Sequence, residues 1–173
     1  MIALNEYNLG RKVKVMQTID EPAKKIPIAE EADICVLGGS CTGVFAAVRA
    51  ARMGAKVVIV ERQNCFGGVA TLGLVNIWHS LYDAEYKRQV IAGLTLEVVE
   101  RLQKRFAVQR IANSSSVGFK LNTEELKIEL DQLLLESKVK PYLHSFYVAP
   151  LVDGDKVKAV IIENKSGRQA IKA

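Results

Sequence analysis

Apolar and polar positions fall into a few sharply bounded blocks along the chain. Ile34-Cys35-Val36-Leu37 is a continuous apolar run closed by Gly38-Gly39. Such a run, with no polar residue on either side of the pleat, suits a strand buried on both faces. After Gly43, the residues Val44, Phe45, Val48 and Ala51 recur at helical spacing, and Gly54 stands where a helix should end. Val57-Val58-Ile59-Val60 repeats the buried-strand signature and stops at Glu61. Strand, glycine turn, helix and strand over residues 34–61 form a βαβ unit, whose crossover is expected to be right-handed.

Beyond Glu61 the spacing changes. Gly67-Gly68 and Gly73 punctuate a loop running through Trp78, Tyr82 and Asp83. Val90, Ile91, Leu94, Val98 and Leu102 share one helical face, which predicts a helix over residues 85–106 with Glu97/Arg101 and Glu100/Lys104 pairs. Asn113-Ser114-Ser115-Ser116 reads as a loop. Asn122 followed by Glu125 resembles a capping box and opens a helix to Ser137, with Leu126, Leu130, Leu133 and Leu134 on its buried face.

Residues 139–148, 157–163 and 168–172 are strand-like, separated by the turn signals Asp153-Gly154 and Ser166-Gly167. Residues 1–30 are weakly patterned and read as an extended lead-in with one short strand at Val13–Val15. On this reading no strand lies between Gly68 and Val139, and the strand at Val139 opens a three-stranded antiparallel meander. The expected architecture is α/β and Rossmann-like: a parallel sheet, helices, and a β-meander as the second crossover.

Composition changes the picture only by exclusion. With 49% apolar and 25% charged residues the chain has a globular composition, and disorder is excluded as its main state. No apolar run approaches the roughly 20 residues of a membrane span. Met1 to Asn8 lacks the basic-then-apolar order of a secretory signal. Three cysteines without CxxC spacing form no disulfide framework, so a cytoplasmic location is expected. The net charge of +5 would suit nucleic acid or phosphate-bearing small molecules. Arg11, Lys12, Lys14, Lys24 and Lys25 have no aromatics interleaved among them, which favours the small molecule over nucleic acid. Two distant histidines argue against a metal site.

The chemistry concentrates in Gly38-Gly39-Ser40-Cys41-Thr42-Gly43, which sits where G-x-G-x-x-G belongs, between strand and helix. Gly38 supplies the tight turn and Gly43 the close helix–strand packing, while the helix N-terminus offers N–H groups to a pyrophosphate. Ser40 replaces the second glycine; its Cβ narrows the approach and its hydroxyl can donate to a phosphate oxygen. Glu61 follows Gly38 by 23 residues, at a strand end where a carboxylate accepts from ribose hydroxyls. A serine hydrolase is the rival, with Ser40 on a nucleophile elbow, His144 as base and Asp153 as orienter. Thr42 occupies the elbow's last glycine position, and nothing in the sequence brings the three together. The long excursion and the meander favour FAD over NAD, and Gly67-Gly68 would let a second backbone segment approach the cofactor closely.

These residues resemble the FAD-dependent oxidoreductases of the glutathione-reductase-type fold. The likeness runs through the Gly38–Gly43 loop, Val60-Glu61-Arg62, Gly67-Gly68-Val69-Ala70-Thr71, Gly73–Trp78, Glu124–Lys127 and Glu163–Arg168, covering residues 22–173. The resemblance implies that Gly38, Gly39, Ser40, Cys41, Thr42 and Gly43 hold the FAD pyrophosphate and Glu61 the adenosine ribose. Arg62 would lie near the adenine, with Tyr147 contacting it through its backbone. Gly67, Gly68, Val69 and Thr71 would lie near the pyrophosphate, ribityl chain or flavin. It also implies hydride exchange between flavin and an unidentified small-molecule substrate. The alternatives are a nucleotide-binding module without turnover and an NAD-binding regulatory domain. In this family the meander leads into a further strand and an Ala-Thr-Gly-Asp-like segment, so residues 31–173 are expected to be an FAD domain incomplete at its C-terminus. The strand edge left open would invite self-association.

The remaining reactive residues read more plainly. Cys35 belongs to a buried strand. Cys41 stands at a helix N-terminus, where a thiolate would be stabilised, but it has no partner cysteine. Cys65 could approach a flavin, yet the resolving cysteine of a disulfide reductase is absent from its neighbourhood. His79, beside Trp78, is the best candidate for a polar group near substrate, and His144 reads as structural.

Overall fold

The computed structural model describes residues 17–113 and 116–173, so the strand expected at Val13–Val15 lies outside the described residues. In chain order the elements are β1 (Ile28–Glu31), β2 (Ile34–Leu37), α1 (Cys41–Arg52), β3 (Val57–Val60), a 3₁₀ turn (Gly68–Ala70), β4 (Ile77–Trp78) and α2 (Leu94–Lys104). There follow β5 (Val108–Asn113), β6 (Ser116–Leu121), α3 (Thr123–Glu136), β7 (Lys140–Tyr142), β8 (Phe146–Asp153), β9 (Lys156–Asn164) and β10 (Gly167–Lys172).

The core is built on β3, the middle strand of a parallel sheet ordered β2-β3-β7. Val57 and Ile59 face a helical layer that includes Val44, Val48, Leu126, Leu130 and Leu133. Val58 and Val60 face the opposite way, onto Val160, Ile162 and Ile171 of the meander β8-β9-β10. All four β3 residues are buried because both faces are covered, and each such side chain is worth roughly 1.5–3 kcal/mol. The first strand differs from expectation. Among the described residues β2 pairs only with β3, and Ile34 and Leu37 remain 40% and 45% exposed.

The expected βαβ unit and meander are present. Ser40 caps α1 by accepting the Gly43 N–H at 3.3 Å, and Gly54 follows the helix at φ +97°. β1 starts at Ile28, within the expected lead-in, and extends the meander by pairing parallel to β10. Asn122 caps α3 by accepting from Glu124 and Glu125 at 3.0 and 3.3 Å. The Glu125 carboxylate pairs with Arg105.

Three expectations fail for local reasons. The helix predicted over 85–106 begins only at Leu94. Gly93, at φ 66°, ψ −131°, starts it, and upstream the Asp83 carboxylate accepts the Lys87 N–H at 2.9 Å in a separate turn. Val90 and Ile91 are therefore exposed rather than on a buried helix face. The strand predicted over 139–148 splits at Leu143–Ser145, where His144 takes φ +50°, so β7 joins the parallel sheet and β8 the meander. The loop expected at Asn113-Ser114-Ser115-Ser116 lies partly outside the described residues, but on either side of it β5 and β6 pair antiparallel and β4 adds to β6, forming a sheet where no strand was expected. Trp78 of β4 meets Phe45 of α1 edge-on, with ring centroids 6.4 Å apart.

Ion pairs tie this excursion to the rest. Glu97 of α2 accepts from Arg52 at 2.7 and 2.9 Å and from Arg101 at 2.9 Å, and Arg101 reaches Glu136 of α3 at 2.7 Å. Among the described residues no helix is long and apolar enough to cross a membrane.

Candidate functional site

The site is assembled where β2 and β3 deliver their C-terminal ends side by side. Gly38 leaves β2 at φ +98°, a conformation that a side chain rarely adopts, and its N–H donates to the Val60 carbonyl at 2.8 Å. The chain then enters α1 under the carbonyl of Gly38. A Cβ at Gly43 would fall inside the contact radius of that oxygen, so only glycine permits this approach. The first turn of α1, with its N–H groups and the positive end of the helix dipole, lies in this loop.

Glu61 is fixed from three sides. Its N–H donates to Tyr142 at 2.8 Å and its carbonyl accepts from Ser145 at 3.0 Å. Its carboxylate accepts the Gly39 N–H at 2.6 Å through Oε2 and the Gln63 N–H at 2.8 Å through Oε1. A carboxylate has about four lone-pair sites, so two backbone donors orient it and leave acceptor capacity for hydroxyl groups. A cleft of about 360 Å³ opens beside it, lined by Leu37, Gly38, Val60, Glu61, Arg62, Ser145, Phe146 and Tyr147. Anion-binding N–H groups, a fixed carboxylate and exposed aromatics thus adjoin one another, the chemistry that a nucleoside diphosphate requires.

The second glycine segment packs onto the first. Gly67 donates to the Gly39 carbonyl at 2.8 Å, and a Cβ at Gly68 would meet Ser40 at 3.3 Å. The close approach between backbones is therefore made between the two loops. Val69 projects outward, 65% exposed. Thr71 is fully buried and its hydroxyl donates to the Phe66 carbonyl at 2.8 Å. Its side chain closes the turn that carries Gly67 and Gly68.

The structure therefore gathers Gly38–Gly43, Glu61, Arg62, Gly67, Gly68 and Tyr147 around one loop-and-cleft surface, and turns Thr71 inward. The thiolate considered for Cys41 is also corrected, since burial pushes its thiol up to about 11; burial raises Cys35 likewise to about 11. The hydrolase rival fails on partners: Ser40 Oγ is the α1 cap, and Asp153 pairs with Lys158 at the meander hairpin. His79 is exposed beside Gly118 in the β4-β6-β5 sheet. Sequence reasoning missed Phe66, whose ring fills the space beside Gly39. It also missed Ser145, hidden in what read as one continuous strand.

Comparison with known proteins gives the following. The family model described as FAD dependent oxidoreductase matches residues 33–173. Mitochondrial dihydrolipoyl dehydrogenase of Schizosaccharomyces pombe is 27% identical over 107 residues, 55% of this chain and 21% of that protein. Among solved structures, the myxobacterial FAD-dependent halogenase CndH superposes with a TM-score of 0.60 at 16% identity, over 83% of this chain and 36% of that one. THI4 of Thermovibrio ammonificans gives 0.58 at 15%, over 82% and 53%. The 3-ketosteroid-Δ4-(5α)-dehydrogenase of Rhodococcus jostii gives 0.58 at 15%, over 84% and 44%. These three share its fold. The chain spans about a fifth of its curated relative and 36–53% of these three solved chains.

Proposed function

Because the chain belongs to the FAD-dependent oxidoreductase family, whose cofactor is FAD, we propose that it forms the dinucleotide-binding part of an enzyme exchanging hydride with a small-molecule substrate. The residues fit the cofactor. Glycine at Gly43 keeps α1 close under the loop, so the helix's first N–H groups can receive a pyrophosphate. Glu61 is held by two backbone donors with lone pairs remaining for ribose hydroxyls. The cleft continues from Gly38 past Arg62 to Tyr147, offering a slot for adenine.

When bound, FAD supplies the redox chemistry through its isoalloxazine ring. The chain's own part is to bind and orient. The α1 N-terminus neutralises phosphate charge, Glu61 selects a ribose with free hydroxyls and repels a 2′-phosphate, and the Phe146–Tyr147 backbone bounds the adenine end. The observation that carries this reading is the Glu61 carboxylate held between the glycine loop and the cleft.

Titration of the chain with FAD, ADP and FMN tests it. FAD and ADP are expected to compete for one site, with FMN, which lacks adenosine, competing poorly. FMN displacing FAD while ADP does not would overturn the assignment.

A further inference from the structure

We infer that the buried Ser145 and the half-buried Asn164 form a positioning pair that sets the adenosine cleft by locking the meander onto Glu61; this rests on the cleft assignment above. Ser145 is 1% exposed, and both its hydroxyl and its N–H are bonded. Its hydroxyl donates to the Leu143 carbonyl at 2.9 Å and accepts from Asn164 Nδ2 at 3.1 Å, while its N–H donates to the Glu61 carbonyl at 3.0 Å. Asn164 ends β9, and its Oδ1 accepts the Ser166 N–H at 2.9 Å, so one amide side chain joins the β9–β10 turn to Ser145.

The preceding residue supplies a parallel strap. His144 donates its N–H to the Gln63 carbonyl at 3.0 Å, and Gln63 in turn donates to the Glu61 carboxylate at 2.8 Å. The chain of bonds thus runs from Asn164 through Ser145 and Glu61 to the Gly39 N–H. Phe146 and Tyr147, which follow immediately, line the cleft. His144 at φ +50° makes the turn between sheets, so two bonded positions determine how the chain re-enters the cleft wall. Neither Ser145 nor Asn164 needs to touch a nucleotide. Their role is to hold Glu61 and the Phe146–Tyr147 backbone at a fixed separation, since a half-satisfied buried network loosens everything bonded to it.

The test uses Ser145→Ala, Asn164→Ala and the double variant, with dissociation constants for ADP and FAD measured well below each variant's melting temperature. Each single variant is expected to weaken ADP and FAD by the same factor, on the order of ten-fold. The double variant should lose little more than either single one, because both act through one bond. Ser145→Thr, which keeps the hydroxyl, should recover most of the affinity. Lowered melting temperatures with unchanged ADP and FAD constants would make the pair merely structural and overturn the inference. Additive losses in the double variant would also overturn it. If a serine variant fails to fold, Asn164→Leu, which keeps the size but removes both the donor to Ser145 and the acceptor for Ser166, decides alone: unchanged ADP affinity contradicts the latch. Wild-type chain that binds FAD and loses it with Gly43→Val, while these variants bind normally, refutes the latch and keeps the cleft. Wild-type chain that binds neither ADP nor FAD refutes both.

Discussion

Two stretches of similar length, residues 34–61 and residues 72–106, behave oppositely. In the first, every residue type that the local geometry requires stands at its place. Gly38 turns at φ +98°, Ser40 caps, Gly43 lets α1 close onto the loop, and β3 is buried from end to end. In the second, the apolar pattern suggests one long helix, whereas the chain forms a turn at Asp83, keeps Val90 and Ile91 at the surface and begins α2 only after Gly93. The difference lies in what each sequence must satisfy. A phosphate loop is specified by sterics within a few residues, which leave few alternatives. A connecting excursion is held by partners distant in sequence, here the Arg52–Glu97 bridge and the Phe45–Trp78 contact.

The largest expected effect falls on the first stretch. Gly43→Val should abolish FAD retention and destabilise the fold by about 3 kcal/mol, because its Cβ meets the Gly38 carbonyl oxygen. That corresponds to roughly 6–12 °C in melting temperature, and flavin absorbance of the purified variant checks the cofactor. Glu61→Gln comes next. Its amide would set an N–H₂ against one of the two backbone donors that the carboxylate accepts, and it weakens hydrogen bonds to ribose. FAD affinity should fall about ten-fold or more, at ~1.4 kcal/mol per decade; equal titration curves would remove Glu61 from the ribose site.

Smaller effects separate the second stretch from the site. Arg52 first, and then Arg101, hold the Glu97 carboxyl well below the usual carboxylate range, at about 2. A carboxyl depressed on folding stabilises the native state above its unfolded pKa, and that contribution is lost as pH falls from the ordinary 4.5 towards about 2. Melting curves between these limits should show Glu97→Gln flattening the acid-side loss, with FAD binding at neutral pH unchanged. Smallest of all, Val90→Ser should cost less than about 0.5 kcal/mol, since the residue is surface-exposed. A loss of about 2 kcal/mol would restore the long helix that the apolar spacing suggests.

Legibility followed the same division. The βαβ unit, the capped helix at Asn122 and the two meander turns are local codes, and each was readable. The hairpin of β5 and β6 was not, because only β6 alternates, with Val117, Phe119 and Leu121, while β5 lacks a period and the pairing is mutual. The break at Leu143–Ser145 was hidden because Leu143, Phe146, Tyr147 and Val148 continue a strand-like composition across a turn made by His144. At the site, a familiar pattern singled out the glycines, Glu61, Arg62 and Tyr147, and the fold brings them to one surface. The burial of Thr71 was not legible, since nothing in the sequence tells that its hydroxyl is consumed by the Phe66 carbonyl. Ser145 and Asn164 gave no signal, as their importance arises from contact across 19 residues.

We propose that one continuous surface, from the α1 N-terminus through Glu61 to Tyr147, receives the adenosine diphosphate end of FAD. Amide chemical-shift mapping during an ADP titration tests it most directly. Shifts are expected to concentrate at Gly38–Gly43, Glu61, Arg62 and Phe146–Tyr147, with the Arg49–Gly93 cleft between α1 and α2 unmoved. Shifts centred on Arg49, Gly93 and Leu94, with the Glu61 amide silent, would contradict it.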